Sequence, residues 1–222
     1  MPAPIRVGRR RIISGLVETP LLLGGLLSAC ENPISRAPTP TPGPTPRPPP
    51  PVLAAADIQR LLGSDYLDPE LGFFVSYPSD WTVDPVEEEG LAVAFRAPVA
   101  DTDATGTAYP TITADTYVPD DFPRTTTRFF LEITLENGIP LLEESLPAFE
   151  LLAGEVQKIP AGYAALFEFR HGSENGRLHT MQLVVPGIQR VYSVTYTALD
   201  SVFEDRILYL AVVSTFSILG GR

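Results

Sequence analysis

The chain of 222 residues is poor in the side chains that do chemistry. Cys30 is its one cysteine, so no intrachain disulfide can form. His171 and His179 are its two histidines, which leaves nucleophilic catalysis short of its usual base. No G-x-S-x-G elbow, no H-E-x-x-H helix and no phosphate-cradling glycine loop occurs. Basic residues are scarce: 16 Lys and Arg stand against 27 Asp and Glu, a formal charge of −11. A nucleic-acid partner is therefore excluded on electrostatic grounds. No apolar stretch is long and unbroken enough for a spanning helix.

What is present begins with an address. Arg6, Arg9, Arg10 and Arg11 form a positive flank, followed by apolar runs at Ile12 to Val17 and Leu21 to Leu27. Small residues then lead to Cys30, the order of a cleaved secretory signal. Leu27-Ser28-Ala29-Cys30 resembles a bacterial lipobox, which implies that Cys30 is diacylated on sulfur and becomes the mature N-terminus. Glu18-Thr19-Pro20 interrupts the apolar region, where a carboxylate is unfavourable for insertion. Arg9-Arg10 fits either twin-arginine export or a plain positive flank. Three segments are expected: a signal over 1–29, a lipidated cysteine and linker over 30–52, and a globular domain over 53–222.

Removing the four arginines and one glutamate of residues 1–29 leaves 12 basic and 26 acidic residues, a formal −14. Anionic headgroups would repel such a domain, so membrane contact is expected through the lipid on Cys30. The linker alternates Pro and Thr, and proline denies it helix and ladder alike. As polyproline II at about 3.1 Å per residue, Ala37 to Pro51 would hold the domain up to ~45 Å from the bilayer. The address thus places the domain on the outer face of a cell membrane.

Beyond the linker, Val52 to Leu62 reads as a short helix and Phe73, Val75 and Tyr77 as one face of a strand. Trp81 follows as a candidate core anchor. Leu91 to Arg96 and Thr111 to Tyr117 read as further strands. Thr125 to Gly138 alternates like a strand yet carries helix boundary signals, a Thr cluster in front and Asn137-Gly138 behind. Phe149 to Ile159 reads as a strand. Ala164 to Arg170 and Leu178 to Val185 flank Asn175-Gly176, the strongest short hairpin signal. Arg190 to Thr197 completes an antiparallel meander with one face buried. Ser201 to Glu204 fits a capping box, with Phe203, Ile207, Leu210 and Ser214 at helical spacing behind it.

GFFVSYPSDWTV over 72–83 is similar to the opening strand of PsbP-like domains. KIPAGYAALFEFR, the Asn-Gly hairpin, VYSVTYTA and a terminal helix through Ser214-Thr215-Phe216 resemble that family too. The resemblance runs from Tyr66 to Leu219. It implies an α+β fold, an antiparallel β-sheet sandwiched by helices, and a helix over Thr125 to Asn137. It also implies a non-catalytic binding or assembly role, and it transfers no active site.

Three functions remain open. The first is a lipoprotein whose domain binds or scaffolds another envelope protein, without catalysis and without a cofactor. The second is a ligand or cation receptor for calcium or manganese, photosynthesis-related by family analogy, using the acidic loops. Asp101-Thr-Asp103-Ala-Thr105-Gly106 begins like a calcium loop but fails at the fifth position and at the twelfth, Ile112. Glu87-Glu88-Glu89 and Asp120-Asp121 read as exposed turns. The third is an envelope hydrolase built on two carboxylates that meet in the fold. A two-residue turn at Asn175-Gly176 would set His171 opposite Thr180 and His179 opposite Gly172, so the histidines fall on opposite faces and make a poor metal pair.

Overall fold

The computed structural model describes residues 53–85, 91–118, 127–203 and 206–219. The signal, Cys30, the proline-rich linker and the acidic runs at 87–89 and 120–121 lie outside the described residues.

The main sheet contains β3 (Thr82–Pro85), β4 (Leu91–Arg96), β7 (Thr111–Tyr117), β8 (Glu150–Ile159), β9 (Gly162–Ser173), β10 (Gly176–Pro186) and β11 (Val191–Leu199). Its order is β3-β4-β7-β11-β10-β9-β8, and every neighbouring pair is antiparallel. α2 (Thr127–Ser145) packs on one face, across β8 and β9. On the other face lie α1 (Ala55–Leu61), α3 (Arg206–Thr215) and a small sheet of β1 (Ser64–Asp68), β2 (Phe73–Tyr77) and β12 (Ser217–Ile218). β5 (Asp101–Thr102) and β6 (Thr107–Ala108) form a separate hairpin. The domain is therefore α+β, with an antiparallel sheet between helical layers.

Period-two alternation accounts for the two cores. On β9 to β11, Leu166, Met181, Leu183, Val194 and Tyr196 join the larger cluster with Phe73, Val75 and α3. Their alternates Ala165, Phe167, Phe169, Val184 and Val191 join Leu131 and Leu142 of α2 and Leu146 just beyond it. β11 is thus buried on both faces, unlike the one-sided meander that the sequence predicts. Ser193 and Thr195, expected to face water, are 5% and 4% exposed. They tolerate burial because Gln182 Nε2 donates to Ser193 Oγ at 2.9 Å and the Ser193 and Thr195 hydroxyls lie 3.4 Å apart.

Tyr77 stacks on Phe95 at 4.4 Å, and Phe73 meets Phe216 at 6.1 Å. Removing a fully buried ring such as that of Phe73 typically costs about 3–5 kcal/mol. Trp81 packs against this core only in part.

The ambiguous stretch is helical from Thr127 onward, but Asn137-Gly138 does not end it. α2 runs on through Pro140 to Ser145. Gly138 serves packing instead. A Cβ there would lie 3.1 Å from the Phe167 ring, and one on Gly154 would lie 3.0 Å from Ile139 Cδ1. The two glycines let helix and sheet approach closely.

The β9–β10 hairpin turns at Glu174-Asn175, one step earlier than Asn175-Gly176. Gly176 pairs with Ser173 and adopts φ +123°, and Ser173 Oγ accepts from the Asn175 amide and donates to the Gly176 carbonyl. His171 consequently faces Leu178, and His179 faces Arg170. The register moves by two residues, which preserves side-chain parity, so the histidines still occupy opposite faces.

The capping box at Ser201 does not open a helix. Asp200–Val202 is a 3₁₀ turn, α3 begins at Arg206, and the Ser201 hydroxyl donates to the Asp103 carboxylate. Glu204 lies outside the described residues. The buried stripe of α3 is also different from the predicted one: Tyr209, Val212 and Phe216 face the core, whereas Ile207 is 50% exposed. ILYLAVV is apolar on nearly every side, so periodicity alone could not choose its inner face.

Candidate functional site

A cleft of about 330 Å³ opens between α1, the loop after β2, the loop after β4 and the start of α3. Its size is within the range of ligand sites. Proline makes its walls: Pro78 leads into Trp81, whose amide donates to the Pro78 carbonyl at 3.1 Å. Pro98 and Val99 follow Ala97, whose amide donates to the Pro110 carbonyl at 2.9 Å. Tyr196 closes the inner side and Val202 the far rim. Val99 is 71% exposed and Val202 37%, so the rim offers apolar side chains to solvent. Asp101 is the one charged residue among the described residues lining the cleft.

Beside the cleft, an ion network ties β8, β9 and β10 to the 3₁₀ turn. Asp200 Oδ1 accepts from Arg170 Nε at 2.5 Å, and its Oδ2 lies 3.5 Å from Arg177 Nε. Glu150 accepts from Arg177 at 2.5 Å and from Arg170 at 3.5 Å. Inside these half-exposed pairs, His179 Nε2 donates to Glu168 Oε1 at 3.1 Å, and His179 Nδ1 lies 3.5 Å from Asp200 Oδ1. Glu168 is 3% exposed. The Tyr209 hydroxyl is buried, and desolvation first, then the Glu168 charge, push its phenol well above the usual range.

Phe203 joins the two features. Its ring stacks on His179 at 3.6 Å and meets Tyr196 of the cleft at 5.2 Å. The network therefore fixes the turn that presents Val202 to the cleft.

Glu168, His179 and Asp200 are engaged in this scaffold. Glu168 and Asp200 meet on His179, whose ring stacks on Phe203, and none of the three lines the cleft. His171 stands on the other face, with Nδ1 3.1 Å from the Gly172 carbonyl and Nε2 3.4 Å from Thr180 Oγ1. Burial lowers its pKa, against an opposing contribution from that carbonyl. Asp103 closes its own loop: Oδ1 accepts from the Thr105 amide and hydroxyl and the Gly106 amide, and Oδ2 from Ser201. These bonds hold its carboxyl down at about 2 and occupy the lone pairs that a calcium ion would need. Among the described residues no group of three or more His, Cys, Asp or Glu could hold a metal ion.

Sequence reasoning did not find the cleft or the network. One signal was available: Glu168 interrupts the apolar strand ALFEFR on its inward-facing parity. A carboxylate there must find a partner.

The element order, the seven-stranded antiparallel sheet and the helical layers define a PsbP-like α+β domain. The similarity extends to the solution structure of cyanobacterial PsbP (CyanoP) from Synechocystis, at 17% identity, with 70% of this chain and 91% of that chain covered and a TM-score of 0.52. LpqN, involved in cell envelope biogenesis of Mycobacterium tuberculosis, overlays more loosely, at 18% identity over 76% of this chain and 99% of that one, TM-score 0.48. At these identities the likeness establishes fold. No family model and no curated protein matches the sequence.

Proposed function

We propose that this chain is an extracytoplasmic lipoprotein, anchored by lipid on Cys30, whose PsbP-like domain is a non-catalytic binding module for another envelope protein. One observation carries the binding role: a cleft walled by Trp81 and prolines, with exposed Val99 and Val202 at its rim, holds no catalytic pair. His171, His179, Glu168 and Asp200 are engaged in hydrogen bonds and ion pairs outside the cleft lining. Apolar rim residues around a single charge suit protein recognition, where an aromatic anchor supplies most of the affinity. Among the described residues no helix is long and apolar enough to cross a membrane; attachment in this reading is the work of Cys30.

The test is site-specific photo-crosslinking in intact cells, with the reactive group at Val99 and a control at Glu155 on β8. A single envelope protein captured from position 99 and not from 155, and lost on Trp81→Ala, supports the module. Identical capture from both positions overturns it. Cys30→Ala should abolish lipid labelling and release the chain from membranes; retained labelling would refute the anchor.

A further inference from the structure

Trp81 and Tyr196 line the cleft together with Pro78, Pro98 and Pro110, and aromatic-lined grooves are where polyproline II helices dock. The sequence has a run of the composition that favours such a helix immediately before the domain: Pro44-Thr45-Pro46-Arg47-Pro48-Pro49-Pro50-Pro51. Proline fixes this conformation before binding, so docking it costs little conformational entropy. We propose that residues 44–51 occupy the Trp81 cleft of their own domain, with Arg47 against Asp101. The inference rests on the reading of this cleft as a binding face, and adds what covers it.

Connectivity and charge support that occupant over others. Leu53 enters the domain packed against the main core, and Leu61, at the other end of α1, lines the cleft. The seven residues of α1 rise about 10 Å. The six residues from Arg47 to Leu53 reach about 19 Å as polyproline II, enough to double back along α1. Asp101 has no ion-pair partner among the described residues, and Arg47 lies within the proline run. Tethering so close to the site gives an effective concentration in the millimolar range, so weak contacts suffice. An envelope partner would displace this segment. On release the tether would lengthen from the seven residues Ala37–Gly43, about 22 Å, to its full ~45 Å.

Trp81 is the sole tryptophan in the chain, so its fluorescence reports the cleft directly. The full chain is compared with a variant in which Pro44, Pro46, Pro48, Pro49 and Pro50 are replaced by serine, and with Asp101→Arg, Arg47→Asp and the double charge swap. Circular dichroism and thermal melting check each fold. Docking predicts a red shift of Trp81 emission and stronger acrylamide quenching in the serine variant and in each single charge variant. The double swap should restore the original values. Unchanged emission in the serine variant overturns the proposal. So does a shift that depends on protein concentration, because a second copy's tether would then be the occupant. Neither outcome touches the crosslinking from Val99, so failure of docking and failure of the binding module are distinguishable.

Discussion

His179 Nε2 reaches Glu168 Oε1 across a diagonal of the sheet, at 3.1 Å, with both side chains withdrawn from solvent. Directly opposite His179 stands Arg170, and directly opposite Glu168 stands Met181. The contact thus depends on the hairpin register. It depends equally on Phe203, which covers the imidazole at 3.6 Å.

Removing one member of this pair should cost far more than removing both. His179→Ala removes one hydrogen bond from the buried Glu168 carboxylate and should lower stability by about 3 kcal/mol. Joint replacement of Glu168 and His179 by leucine should recover most of that loss. Urea unfolding of the two single variants and the double variant measures the coupling, and strict additivity would show the pair to be independent.

At Gly138 the close helix–sheet contact predicts intolerance of bulk. Gly138→Val must force α2 off Phe167 and should cost about 1–3 kcal/mol, despite the gain in helix propensity over glycine. The control is Glu136→Val, at an exposed position of the same helix. Chemical denaturation should show a clear drop in midpoint for the first variant and little change for the second. Equal midpoints would contradict the packing role.

Asp103 provides a pH dependence with a definite sign. Its folded value, about 2, is below its ordinary 3.8, chiefly through the hydrogen bonds from Ser201 and Thr105. Its contribution to stability is therefore present above pH 3.8 and lost as pH falls through about 2. Ser201→Ala should raise the Asp103 value toward the ordinary one in a carboxyl NMR titration and flatten the acid limb of stability. An unmoved titration would mean that Ser201 does not hold this carboxylate.

Val99 separates binding from stability. Because it is 71% exposed, Val99→Glu should change unfolding free energy by less than about 0.5 kcal/mol. In cells the same change should abolish the cleft crosslink, read from a photoreactive group placed at Val202. Undiminished crosslinking would remove Val99 from the interface.

Much of the fold was legible because alternation and turn chemistry are local. Thr111 to Tyr117 is β7 without change of boundary, and Phe73 and Val75 sit at full burial. The PsbP-like resemblance supplied the helix at α2 that periodicity left open. Local signals failed where a tertiary contact outweighed them. Gly138 reads as a helix end until Phe167 lies against it. Ser201 reads as a cap until Asp103 accepts its hydrogen bond. The Asn-Gly turn is displaced by one residue because Ser173 and Gly176 close the hairpin instead.

By itself the sequence determined six of the seven strands of the main sheet, the acidic balance and the scarcity of catalytic side chains. These follow from residue type and from spacings of a few positions. Tertiary structure alone decided that residues as distant as Pro78, Asp101 and Tyr196 wall one cleft, and that Glu168, His179 and Asp200 meet beside it. Such meetings depend on strand order and register across the whole sheet, which no local pattern encodes.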